Sequence, residues 1–192
     1  MKSVIALVIA LAIASVCRAA QAEANDQDNA ILGRLLQEWN ENEGYLVVDP
    51  VTSMGRHKIT NPSGLKESLK RALEPEGYDV GQLVDKLLEK NRTPTRLSLQ
   101  SRPERGYLVD YHGQFGRYFE KNGGGWKAWH RDHPEAHGYV RVSLPAYDEK
   151  AGIVLVCIDI QSDRLAGAGY VVAYMYENGY LRELGRVTRR VS

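Results

Sequence analysis

The sequence predicts an α+β fold in which N-terminal helices pack on a C-terminal antiparallel sheet, a meander that ends in a type I′ hairpin. Apolar residues recur at helical spacing as far as about residue 90, and after residue 138 they alternate or run continuously, as they do in strands. Between the last two such runs stands Asn178-Gly179, the strongest short-range signal for a two-residue hairpin loop.

The first 22 residues resemble a secretory signal peptide, because one lysine precedes the apolar run 4–16 and small residues follow it. This run has 13 residues, whereas a membrane-spanning helix needs roughly 20. Cys17 suggests lipidation as an alternative, but Val16 stands where a small residue is expected. We expect export to the periplasm or secretion without a stable membrane span, and one α+β domain over residues 23–192.

The chain is close to electrically neutral. Removing residues 1–22 takes away Lys2 and Arg18 and no acid, which leaves 23 basic and 24 acidic residues. Such a balance attracts no polyanion, so no nucleic acid is expected as a partner. Only Cys157 remains in the predicted mature chain, so burial rather than a disulfide must stabilise the fold.

Three helices and a short strand are predicted in the first half of the chain. A capping side chain, Asn61, stands before Pro62 at the start of the second helix, and Asp79 with Gln82 forms a capping-box pattern at the third. The second and third helices are expected to form an antiparallel pair. The predicted helices cover residues 28–41, 62–73 and 79–90, and the strand covers residues 45–49.

The second half of the chain has the periodicity of strands. Residues 138–144 alternate between apolar and polar, as in a half-buried strand. The run 152–160 is almost wholly apolar, which predicts a central strand covered on both faces, with Cys157 as a small buried residue. "LAGAG" at 165–169 lacks the context of a nucleotide-binding loop and is interpreted as a loop between strands.

The predicted hairpin sets the register of the last two strands. Counting outwards from the turn places three tyrosines on one face of the sheet. The predicted pairs are Tyr176 with Leu181, Tyr174 with Glu183, and Tyr170 with Val187. Three arginines follow on the last strand, interpreted as charges that protect a sheet edge, with a nucleic-acid patch as the alternative: Arg186, Arg189 and Arg190.

The stretch "WKAWHRDHPEAHG" raises the question of a metal site. On one continuous helix His130, His133 and His137 would share a side and could converge on zinc. Pro134 interrupts such a helix and places His137 beyond it. We therefore expect no metal, and a short helix over residues 125–133 whose apolar side, with Trp126 and Trp129, packs against the sheet.

Acid–base chemistry is the other hypothesis for this region. Asp110 and His112 would project from one face of an extended strand, and His133 and Glu135, with Asp132, could approach them. No nucleophile elbow, zinc-protease motif or phosphate loop accompanies them. A hydrolase that uses such a His/Asp/Glu pair is the alternative function.

Several of these features together resemble a group of secreted bacterial proteins of unknown function. The shared features are a Trp-led helix (Trp126, Trp129), Pro134, a Gly-initiated strand containing a serine (Gly138, Ser143), the apolar strand, the "LAGAG" loop and the terminal Val191-Ser192. The chain departs from the pattern at His133, where tyrosine is usual, and at Arg190, where tryptophan is usual. The resemblance implies an exported α+β domain and carries no activity.

The sequence thus predicts an exported, non-enzymatic domain without a cofactor that binds a small ligand or a protein partner. Tyrosine and tryptophan suit such surfaces, since each combines an apolar ring with a polar tip. The predicted binding surface consists of Trp126, Trp129, Tyr170, Tyr174 and Tyr176.

Overall fold

The structure is a computed structural model that describes residues 23–40, 44–55, 59–74 and 77–191. The predicted signal peptide lies outside these ranges. Within them, none of the helices has the length and apolar character required to cross a bilayer.

Four helices and seven strands are present in the described residues. The helices are α1 (Asp26–Trp39), α2 (Pro62–Leu73), α3 (Gly81–Lys90) and α4 (Gly125–Asp132). The strands are β1 (Tyr45–Val48), β2 (Tyr107–Val109), β3 (Ala136–Val142), β4 (Ala146–Asp148), β5 (Ile153–Gln161), β6 (Gly167–Glu177) and β7 (Tyr180–Val191). Two 3₁₀ turns, Pro103–Arg105 and Gly116–Phe119, flank β2.

All seven strands belong to one mixed sheet, so the prediction of a purely antiparallel sheet was wrong. The strand order is β2-β1-β3-β5-β6-β7, with β4 beside β5. β1 is parallel to both β2 and β3, whereas the remaining pairs are antiparallel. Helices separate β1, β2 and β3 along the chain, and such crossover connections let successive strands run in the same direction.

Both faces of the sheet are covered, which explains the almost continuous apolar run of β5. α1 packs on one face, where Val156 and Ile158 lie. α2 and α3 pack on the other face over Leu155 and Cys157, and α4 covers the same face farther along, over Val47. Each fully buried aliphatic side chain contributes roughly 1.5 to 3 kcal/mol. The core therefore has an apolar layer on either side of the sheet.

The hairpin turn is confirmed, since Asn178 and Gly179 have φ angles of 53° and 80°. The pairs of Tyr176 with Leu181 and Tyr174 with Glu183 occur as predicted. The predicted pairing of Tyr170 with Val187 was wrong, because the register shifts between Ala173 and Tyr174 and Tyr170 faces Thr188. All three tyrosines still pack with the α1 side.

This register shift coincides with a close contact between β7 and α2. A Cβ on Gly185 would lie 3.0 Å from the carbonyl oxygen of Ala72. Gly185 pairs with Ala173, while Tyr174 pairs with Glu183, so Leu184 is the extra residue. Leu184 packs among the α2 and α3 residues.

Two local predictions need correction. The capping box at Asp79 is absent, because α3 begins at Gly81 and the Asp79 carboxylate accepts from the Gly81 amide at 2.9 Å. The "LAGAG" segment is a loop only in its first part, since β6 begins at Gly167. A Cβ on Gly167 would lie 2.8 Å from the carbonyl oxygen of Ile160, which explains why glycine is needed in this strand.

Candidate functional site

The three histidines of the opening motif lie in different local structures. α4 ends at Asp132, His133 caps it, and His137 belongs to β3. His130 Nε2 is 2.9 Å from the Ser162 carbonyl oxygen, and His133 Nε2 is 3.1 Å from the Tyr118 hydroxyl. Across the described part of the chain, no three His, Cys, Asp or Glu side chains are grouped as a metal site.

Trp129 is a core residue rather than part of a binding surface. Its side chain is 0% exposed, and its indole N–H donates to the Ala136 carbonyl oxygen at 3.0 Å. The ring packs against Phe115, with 5.1 Å between the centroids. The predicted surface therefore loses Trp129, and it also loses Tyr174, which is buried.

The predicted acid–base residues are not assembled into a site. Asp110 is buried and its Oδ2 accepts from the amides of Phe115 and Gly116 at 3.1 Å each. His112 and Glu135 are exposed. Among the residues that the structure describes, no hydrogen bond or ion pair joins His112 to Asp110, or Glu135 to His133. Asp110 instead holds the turn that leads to the second 3₁₀ helix.

Asp132 and His133 meet at the Tyr118 hydroxyl, which donates to Asp132 at 3.1 Å. Arg131 also binds Asp132, at 2.6 Å, and this hydrogen bond is the main reason that the pKa of Asp132 lies below its usual value. The His133 ring packs on Phe115 with 4.6 Å between centroids. These groups thus tie α4 to the preceding 3₁₀ helix.

A cleft lies at the beginning of α4, and we call it the corner cleft. Its volume is about 640 Å³. Three segments line it: the residues 118–121, the residues 124–127 at the start of α4, and a segment at the end of β5 that contributes Gln161, Asp163 and Arg164. Of the predicted surface residues, only Trp126 lines this cleft.

One wall of the corner cleft is aromatic. Trp126 and Phe119 lie with 4.7 Å between their centroids, and Phe119 is 44% exposed. Trp126 is half-buried and stacks on His130 at 5.8 Å. The indole N–H of Trp126 donates to no acceptor within the described ranges, in contrast to that of Trp129. The wall therefore offers apolar ring surface together with one available donor.

The start of α4 gives the cleft a positive end. Gly124 and Gly125 have φ angles of 80° and 63°, which only glycine adopts easily, and no side chain caps the helix. The first-turn amides have no partner within the helix, and the helix dipole adds partial positive charge there. The charged side chains at the rim are Lys121, Lys127 and Arg164, with Glu120 and Asp163 opposing them.

Gln161 provides the polar group that sequence reasoning missed. The residue is 3% exposed, and its Nε2 donates to the Asp163 carbonyl oxygen at 3.0 Å. Its Oε1 has no hydrogen-bond partner. A buried acceptor left without a donor costs about 1 to 3 kcal/mol. The only sequence signal is a polar residue directly after the predicted apolar strand 152–160, which is too common to indicate a site.

The tyrosine face carries a second, smaller cleft of about 360 Å³ beside Trp39 and Tyr174. Arg186 already occupies its aromatic surface, with its guanidinium 5.2 Å from the Trp39 ring centroid and 5.4 Å from that of Tyr170. Glu183 pairs with Arg186 through two hydrogen bonds of 2.6 and 2.5 Å. The rings of Trp39 and Tyr170 and the charge of Arg186 therefore already have partners within the chain.

The other two C-terminal arginines also have partners. Arg189 donates to the Met54 carbonyl oxygen, and Arg190 forms an ion pair with Asp159 at 2.6 Å. β7 lies at the edge of the sheet, as the edge-strand interpretation expects. These contacts account for the arginines without a nucleic-acid partner.

No protein-family model, no curated protein and no solved structure matches the chain. The corner cleft is therefore interpreted from its own chemistry.

Proposed function

We propose that this protein is an exported, non-enzymatic domain that binds a small molecule in the corner cleft. The predicted signal peptide supports the export. One observation carries the binding role: at this cleft an aromatic wall, an uncapped helix N-terminus and a buried, unpaired amide oxygen come together. Concave sites with aromatic walls and a few polar groups are the usual form of small-molecule sites.

The alternative, a hydrolase, has less support from the geometry. It would need a histidine or carboxylate that faces an open pocket and is paired with an orienting group. His112 is exposed and separate from the buried Asp110, whereas His133 packs on Phe115. Neither histidine lines the corner cleft.

The three tryptophans offer a direct test of binding, because each indole N–H gives its own NMR signal. The mature chain, labelled with nitrogen-15, is titrated with a panel of monosaccharides, sugar acids, amino acids and nucleotides. A ligand in the corner cleft is expected to move the signal of Trp126, and to leave those of Trp39 and Trp129 nearly unchanged. These two N–H groups already donate within the chain, to Tyr174 and to Ala136.

Variants make this result interpretable. Trp126→Phe removes one signal and so assigns it. Tyr180→Ala changes an exposed aromatic residue at the distant hairpin turn and should leave all binding intact. The proposal fails if no member of the panel moves the Trp126 signal, or if the members that bind move only that of Trp39.

A further inference from the structure

We propose that the ligand of the corner cleft is a sugar acid, a pyranose ring that carries a carboxylate. This inference rests on the proposed function and names the chemical class of ligand for the same site. Three properties of the cleft lead to it: its charge, its aromatic wall and its unused hydrogen-bonding groups.

The charge of the cleft favours an anion. The first-turn amides of α4 face no capping side chain, and α4 has no acidic residue in its first turn. Lys127 lies in that turn, and with Lys121 and Arg164 it outnumbers the two acidic residues of the cleft, Glu120 and Asp163. A carboxylate at this point would accept hydrogen bonds from free amides and meet the positive end of the helix dipole.

The aromatic wall favours a ring with an apolar face. Trp126 and Phe119 are inclined by 57° to each other, so together they form two adjoining apolar surfaces. A pyranose presents C–H groups on its faces and hydroxyls around its edge. Its face can therefore cover the indole while its edge remains available for hydrogen bonds, which a simple anion such as acetate cannot do.

The unused hydrogen-bonding groups favour hydroxyls. Gln161 Oε1 is a buried acceptor without a donor, whereas the half-buried Trp126 has an N–H that donates to no acceptor within the described residues. A hydroxyl can be either, but a carboxylate can only accept. A ligand with both a carboxylate and several hydroxyls thus matches the helix N-terminus and Gln161 at the same time.

The experiment measures dissociation constants from the Trp126 signal for glucuronate, galacturonate, glucose, acetate and adenosine monophosphate. At least one uronate is expected to bind about 10-fold or more tightly than glucose, a difference of about 1.4 kcal/mol. Added salt should weaken uronate binding and leave glucose unchanged, because it screens the charge. Acetate and adenosine monophosphate should bind more weakly than the uronate.

Two variants, with one control, test the contributions of the carboxylate and of the hydroxyls separately. Lys127→Met should weaken uronate binding by about 2- to 5-fold, the range for an exposed charge pair, and leave glucose unaffected. Lys150→Met, an exposed lysine in the β4–β5 turn, is the matched control and should change neither. Gln161→Leu should weaken both sugars alike by about 5- to 10-fold, because it removes the acceptor for a hydroxyl.

The outcomes distinguish this inference from the proposed function. If glucose or acetate binds as tightly as both uronates, or adenosine monophosphate binds more tightly, the sugar-acid assignment is overturned while binding in the cleft stands. The sugar-acid assignment is also overturned, while binding in the cleft stands, if other panel members bind and neither uronate does. If nothing moves the Trp126 signal, both proposals fall. Because Lys127 is exposed, its variant remains informative even if Gln161→Leu does not fold.

Discussion

The buried ion pair between Asp159 and Arg190 gives the sharpest prediction about stability. The two side chains are only 4% and 12% exposed, and the guanidinium binds the carboxylate at 2.6 and 3.2 Å. Arg190→Met removes the guanidinium that binds the buried carboxylate of Asp159. Breaking a buried ion pair by removing one of its members costs about 3 to 5 kcal/mol. That is a large part of a typical total stability of about 5 to 15 kcal/mol.

The cost should depend strongly on which partner is removed. Asp159→Leu leaves Arg190, whose long side chain can extend its charge towards solvent, so this variant should lose less than Arg190→Met. The double variant should also lose less than Arg190→Met alone, because two apolar residues can replace a buried pair at little cost. All of these variants keep Gly169, the β6 residue that pairs with Asp159 on one side and with Arg190 on the other.

Urea unfolding of the four chains, followed by circular dichroism, measures these differences. A loss below about 1 kcal/mol for Arg190→Met, or a double variant that loses the full sum of both singles, would refute the reasoning.

Three further predictions follow from the core, the thiol and the turn. Trp129→Ala should lose about 3 to 5 kcal/mol in urea unfolding, and the half-buried Trp126→Ala clearly less; equal losses would contradict the core position of Trp129. Burial raises the pKa of the Cys157 thiol to about 11, so iodoacetamide at pH 8 should react with it about 100-fold more slowly in the folded chain than in urea; equal rates would show that the thiol is accessible. Gly179→Ala should cost about 1 to 2 kcal/mol because φ is 80° there, whereas Asn178→Gly should be nearly neutral, and the reverse order would argue against a type I′ turn.

Local sequence signals predicted a helix end or a turn well where that feature depends on neighbouring residues. Asn61 caps α2 through the Gly64 amide at 2.9 Å, as its position before Pro62 indicates. Pro134 ends the histidine series because its ring excludes a helix at that point. The Asn178-Gly179 turn forms for the same kind of reason, since both residues tolerate positive φ.

Predictions failed where distant parts of the chain decide the outcome. Counting from the turn cannot reveal the register shift at Leu184, which coincides with the contact between Gly185 and α2. The residues around Arg190 and around Asp159 give no sign that these two side chains pair, because they are 31 residues apart. The sequence predicted that the apolar side of α4 packs against the sheet and also offered its tryptophans as a binding surface, and only the tertiary packing shows that Trp129 is buried while Trp126 is half-exposed.

The sequence by itself determined the four helices, the strands β1, β3, β5, β6 and β7, the hairpin and the separation of the three histidines, because backbone preferences and apolar periodicity act over a few residues. The tertiary structure alone decided that β1 and β2 join the sheet in parallel and that the start of α4 meets the end of β5 at a cleft. Gln161, Trp126 and Lys127 are brought together by contacts between elements far apart in the chain. No short-range pattern can encode such contacts, since their energy depends on what the whole fold buries.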